Sequence, residues 1–116
     1  MRDDIRRGTV VEVRLDPTKG HEVSKKRPCV VVQNDLGNRT SPITVVAAIV
    51  GAEHLVRVTA IDVVVPRGEG GLLKDSVVKC DHLRSIDELR IGRTFGQLRP
   101  ETMRRVDAAL RISLEL

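Results

Sequence analysis

Six short aliphatic runs, each cut off by turn-forming residues, constrain this chain more than any other feature. They are GTVVEVRL (8–15), RPCVVVQN (27–34), ITVVAAIV (43–50), VTAIDVVV (58–65), DSVVKCDHL (75–83) and IGRTFGQL (91–98). Valine-rich segments of this length suit the pleated surface of a sheet. In the first run Val10, Val13 and Leu15 supply the apolar positions, and Asp16, Pro17, Thr18 and Gly20 then end it. The second and third runs are almost continuously apolar, as expected of central strands covered on both faces. DLGNRTSP (35–42) is expected to be a loop. PRGEGG (66–71) is expected to be a flexible loop and not a phosphate cradle, since no helix follows it and no GKS or GKT appears.

The tail follows a different period. Pro100 suits a first helical position and Glu101 the positive end of a helix dipole. Met103, Val106, Leu110 and Leu114 then make one apolar stripe, predicting a helix that packs on the sheet. The expected architecture is mainly β: six to seven short antiparallel strands coiled into a small sheet or barrel, with one C-terminal α-helix. No linker or repeat divides residues 1–116, so one domain is expected.

Composition limits the chemistry. There is no Trp or Tyr and a single Phe, Phe95, which excludes an aromatic platform for stacking several bases. A formal charge of +4 is compatible with a polyanionic partner without requiring one. No apolar run approaches the ~20 residues that span a bilayer, and MRDDIRRGTV lacks a secretory segment, so a cytoplasmic protein is expected. Cys29 and Cys80 lack CxxC spacing, and His21, His54 and His82 are scattered. Two small buried thiols fit this pattern better than a disulfide or a zinc site, and neither metal nor cofactor is expected.

Two segments concentrate polar chemistry between strands. LDPTKGHEVSKKRPCVVVQND (15–35) gathers His21, Glu22, Lys25, Lys26 and Arg27, and VVKCDHLRSID (77–87) gathers Lys79, Asp81, His82 and Arg84. These segments, with RRGTVVEVRLDPTKGHE, ITVVAAI and the ending IGRTFGQLRPETMRRVDAALRISLEL, occur in the same order in the MazF/PemK toxins, and the chain resembles that family, in particular its Kid-like branch. The resemblance implies an SH3-like β-barrel with a C-terminal helix and a homodimer. It also implies metal-independent cleavage of single-stranded RNA and neutralisation by a cognate, MazE-like antitoxin. It places the arginine of the family's R-P motif on Arg27, the loop histidine on His21 and the aspartate of the R-C-D motif on Asp81. The arginine of that last motif is replaced by Lys79, and the threonine that commonly follows the third strand's AAI is replaced by Val50, which can neither donate nor accept a hydrogen bond.

RNA is cut without metal when its own 2′-hydroxyl attacks the adjacent phosphorus. That reaction needs a base, a charge clamp and a proton donor. Arg27 fits the clamp, being a fixed charge and a poor acid; the ordinary alternative is a surface arginine paired with a carboxylate. Asp81 fits the base, with Lys79 two residues away on the same face of a strand; the ordinary alternative is a surface ion pair. His21 would supply or relay the second proton. Lys25, Lys26, Arg39 and Arg84 are candidates for holding flanking phosphates, which adds affinity without base selectivity. Two alternatives accompany the endoribonuclease reading. One is a weakened relative that binds RNA or antitoxin, motivated by Val50. The other is a gyrase-poisoning relative of the same fold, against which RPCVVVQND and KCDHLRSID argue.

Overall fold

All six runs form strands: β1 Thr9–Arg14, β2 Lys26–Val31, β3 Ile43–Gly51, β4 Asp62–Val65, β5 Ser76–Asp87 and β6 Ile91–Gln97. The computed structural model describes residues 1–22 and 25–116; Val23 and Ser24, within the basic loop, lie outside the described residues. The strands pair antiparallel in one sheet of order β4-β5-β3-β2-β1-β6. Central β2 and β3 are buried on both faces, as their composition predicts. Val30, Ala47 and Ile49 join the cluster that also holds Val10, Val78 and Cys80, while Cys29, Val31, Val46 and Ala48 join Val11, Val13, Leu15 and Ile5.

The predicted C-terminal helix is α2, Pro100–Leu114, with proline in its first turn. Its buried apolar residues are Met103, Val106 and Ala109, and Leu110 packs beside them. Leu114 ends the predicted stripe but is 52% exposed, because the helix runs past the edge of the core. Arg7 ties α2 to the sheet: its Nη2 donates to Asp107 Oδ1 at 2.6 Å and its Nε to Val32 O at 2.9 Å.

Four local expectations differ from the structure. Residues 35–42, expected to be a loop, contain a short helix, α1 Asp35–Thr40, capped by Asn34 Oδ1 accepting from Gly37 N at 2.8 Å. β4 is shorter than the run 58–65, because Thr59 donates from both N and Oγ1 to Asp62 and closes a turn there. β5 continues four residues beyond the run that announced it, pairing Leu83 to Asp87 with the start of β3. The segment 66–71 contains a 3-10 turn, Glu69–Gly71, in place of a flexible loop.

That turn also explains how the sheet curls without closing as a barrel. No ladder joins β4 to β6 among the described residues. Instead the glycines after β4 lie against β6, where a Cβ on Gly71 would come within 2.1 Å of Phe95 O and one on Gly96 within 2.8 Å of Gly70 C. Backbone meets backbone, so neither position has room for a side chain. Gly71 also holds φ at +73°, which other residues adopt at a cost. Gly71→Ala is expected to lower the unfolding free energy by at least about 2 kcal/mol in urea denaturation.

Candidate active site

Between Ala47 and Ala48 the β3–β5 register jumps. Ala47 faces Leu83 whereas Ala48 faces Lys79, leaving Cys80, Asp81 and His82 as an extra segment on β5. Such bulges re-aim side chains. Here the freed backbone of Cys80 finds partners elsewhere: its N–H donates to Ile61 O at 3.1 Å and its carbonyl accepts from Ser113 Oγ of α2 at 2.8 Å. The bulge therefore costs no unpaired groups at Cys80.

The bulge overturns the expected strand alternation. Regular alternation along a strand would put Asp81 and His82 on opposite faces, yet both line one cavity of about 350 Å³. Leu15, Cys29, Val46 and Ala48 also line it, and His21, Glu22, Leu83 and Arg84 complete the lining. Asp81 keeps its carboxylate available. Its side chain is 40% exposed, and Lys79 Nζ and His82 Nε2 both stand 3.8 Å from its oxygens, beyond hydrogen-bonding distance.

Lys79 is committed elsewhere. Its Nζ donates to Asp62 Oδ1 at 2.7 Å, and the Asp62 side chain is only 1% exposed. Burial alone would raise the Asp62 pKa, but the Lys79 ammonium and the two Thr59 donors outweigh it and hold the carboxyl below its ordinary value. The ordinary alternative, an ion pair between Lys79 and Asp81, is thus secondary to one between Lys79 and Asp62.

Arginines hold the neck of the loop bearing His21. Arg84 Nη1 donates to Leu15 O, and Arg90 Nη1 donates to Arg14 O at 2.9 Å and Asp16 O at 2.8 Å. Asp16 Oδ1 accepts from Lys25 N at 3.0 Å, and Lys25 adopts a left-handed φ of 68°. Further out, Lys19 N donates to Glu22 Oε1 at 2.6 Å, a turn that sets His21 and Glu22 against the cavity. Cys29, in the same cavity, is no nucleophile: burial pushes its thiol up to about 12. Burial likewise raises Cys80 to about 11.

Arg27 lies in the adjoining space. It lines a second cavity of about 400 Å³ together with Val50, Pro28, Arg93 and Phe95. Cys29 and Ala48 line the first cavity, and Arg27 and Val50 stand two residues from them along β2 and β3. A two-residue step on a strand is about 7 Å and returns to the same face, so Arg27 and Val50 follow Cys29 and Ala48 along that face. The remaining predicted cations line neither of these two cavities. Lys26 lines a third cavity with Arg14 and Arg90, Lys25 is exposed at the loop neck, and Arg39 sits on α1 beside Arg6 and Asp35.

A model of the PemK-like, MazF-like toxins of type II toxin–antitoxin systems matches residues 6–114. The chain belongs to this family. The toxin is 38% identical to endoribonuclease EndoA of Bacillus subtilis over 112 residues, covering 97% of this chain and 96% of the relative. Among solved structures, the Mycobacterium tuberculosis toxin MazF-mt6 is 25% identical, with a TM-score of 0.77 over 93% of this chain and 97% of its own. A mycobacterial endoribonuclease in complex with its cognate antitoxin shares the fold, with a TM-score of 0.79 at 22% identity over 96% and 95% of the two chains. No helix among the described residues is long and apolar enough to cross a membrane.

Sequence reasoning left His82 unassigned and did not single out Asp62 or Arg90. The bulge that turns His82 into the toxin's cavity interrupts an otherwise regular strand pattern, and nothing in KCDHL signals it. Asp62 had a signal, a lone carboxylate in the apolar run VTAIDVVV, where a buried acid requires a partner.

Proposed function

We propose that this toxin is a sequence-selective endoribonuclease that cuts single-stranded RNA, with messenger RNA as the target, by attack of the 2′-hydroxyl on the adjacent phosphorus. Asp81 accepts the 2′-hydroxyl proton. The new O2′–P bond forms as the P–O5′ bond breaks, and His21 protonates the departing 5′-oxygen. Arg27 and Arg84 hold the phosphoryl oxygens as their charge grows. The products are a 2′,3′-cyclic phosphate and a 5′-hydroxyl. The toxin works as a homodimer and is silenced by a cognate antitoxin, the kind of partner named for the mycobacterial structure.

The observation that carries this reading is the bulge, which brings an exposed Asp81, with His82 and Arg84, onto one cavity with His21, while Arg27 stands two residues along β2 from Cys29 of that cavity. Lys79 has a positioning role here, since its ammonium is engaged by Asp62. His82 is a second donor near enough to exchange a proton with Asp81 through a water. The test is incubation of purified toxin with single-stranded RNA in EDTA, followed by mapping of the ends. Cyclic phosphate and 5′-hydroxyl ends are expected; intact RNA, or 5′-phosphate ends, would overturn the chemistry.

Val50 favours a second reading, a weakened nuclease. It lines Arg27's cavity and offers no hydroxyl to a phosphate there. If a hydroxyl at this position matters, Val50→Thr raises cleavage by about tenfold or more, the worth of one charge-assisted hydrogen bond. An unchanged rate would mean that Asp81, His21 and the arginines suffice.

A further inference from the structure

Arg14 and Lys26 sit directly opposite each other on β1 and β2. Both are exposed, and like charges in that arrangement destabilise a sheet. Nearby, Arg90 lines the same cavity of about 140 Å³, whose only carboxylate is Glu12. Glu12 pairs across the ladder with Pro28, and Pro28 lines the cavity of Arg27 and Arg93. The two cavities therefore form one continuous face. Lys74, also there, is neutralised by Glu53 at 2.6 Å. Among the described residues none of Arg14, Lys26, Arg90 and Arg93 reaches ion-pair distance of a carboxylate. These four cations line the two cavities with Glu12 as the one carboxylate among the lining residues. Positive charge is thus crowded on one strip, and at Arg14 and Lys26 it is placed where it weakens the sheet.

We propose that Arg14, Lys26, Arg90 and Arg93 form a track for the phosphodiester backbone of the RNA flanking the cleaved bond, entered at Arg27. This rests on the reading of the toxin as an RNA-cutting enzyme. A polyanion lying on the strip removes the repulsion between Arg14 and Lys26, and the four cations displace counterions condensed on its phosphates. The contacts are to backbone, so the track adds affinity and reach and leaves base selectivity to the cavities. Arg93 also lies 4.8 Å above the Phe95 ring, which fixes its guanidinium on this face.

The test measures binding of a long and a trimmed single-stranded RNA across a salt series, in an Asp81→Asn background that prevents cleavage. Each single-strand phosphate contact contributes about 0.7 to the salt slope, so Arg14→Ala with Arg93→Ala is expected to reduce the slope for the long RNA by about 1.4. The advantage of long over trimmed RNA should collapse with it. Arg14→Lys with Arg93→Lys should keep both, because charge is what matters. An unchanged slope in the alanine variant overturns the track, as it would if an acidic protein segment were the occupant; so does a lysine variant that behaves like alanine. Thermal melting of Arg14→Ala supplies a second reading, since relief of the like-charge pair should leave Tm equal or higher. Wild-type toxin that binds with the full slope but cuts no RNA would sink the catalytic proposal and leave the track; cutting with an unchanged slope would do the reverse.

Discussion

Asp81→Asn should slow RNA cleavage by about 10²–10⁴-fold, the usual contribution of a positioned general base. Asparagine keeps the size of the side chain and much of its polarity but cannot take the 2′-hydroxyl proton. The folded state should not notice. Asp81 is 40% exposed, with Lys79 Nζ and His82 Nε2 both 3.8 Å away, so the substitution falls among surface changes worth about 0.5 kcal/mol or less. A single-turnover assay on a short RNA, paired with a thermal melt, separates the two effects. Full activity in Asp81→Asn would move the base to Glu22, the other carboxylate on the cavity. Arg27→Ala, tested beside it, should cost about 10²–10³-fold if that guanidinium stabilises the phosphoryl charge.

Lys79→Met should act on the fold. It leaves the Asp62 carboxylate, 1% exposed, without its cation, and breaking a buried pair in this way costs about 3 kcal/mol or more. In a chain of 116 residues that lowers Tm by about 10 °C. The pH dependence gives a sharper signature. The Asp62 pKa is depressed in the folded protein, so the stability it contributes is present above the unfolded value of about 3.9 and is lost as pH falls through the folded value. The gap in Tm between wild type and Lys79→Met should therefore be full at pH 7 and shrink below about pH 4. A gap that persists unchanged in acid would show that lost packing of the lysine stem, and not the charge, is responsible. Should Lys79→Met instead abolish cleavage at an unaltered Tm, the side chain belongs with the catalytic groups.

The strands were legible because valine-rich runs bounded by Asp, Pro and Gly leave few other conformations, and the closing helix because Pro100 and the Met103–Val106 spacing signal it. α1 was missed although its signals were present: Asn34 as the cap, Asp35 in the first turn and Arg39 in the last. Gly37 and the surrounding turn formers masked them. The site was half legible. Residue types and order singled out His21, Asp81 and Arg84, which the structure gathers round one cavity. Strand alternation then misplaced His82, because a bulge is a property of two strands and their long-range partners, here Ile61 and Ser113. The same holds for Lys79, whose partner Asp62 lies on another strand and 17 residues away. The open edge between β4 and β6 could not be read either, since it depends on how closely Gly71 and Gly96 let two backbones approach.

The two thiols carry a consequence for how such an enzyme is restrained. Burial pushes the Cys29 thiol up to about 12 and the Cys80 thiol up to about 11, so both stay protonated at neutral pH. Peroxide meets no nucleophilic sulfur, so sulfenic acid formation and glutathione capping are slow. Thiol oxidation is therefore a slow way to restrain the protein, and halting it falls to whatever occupies its surface.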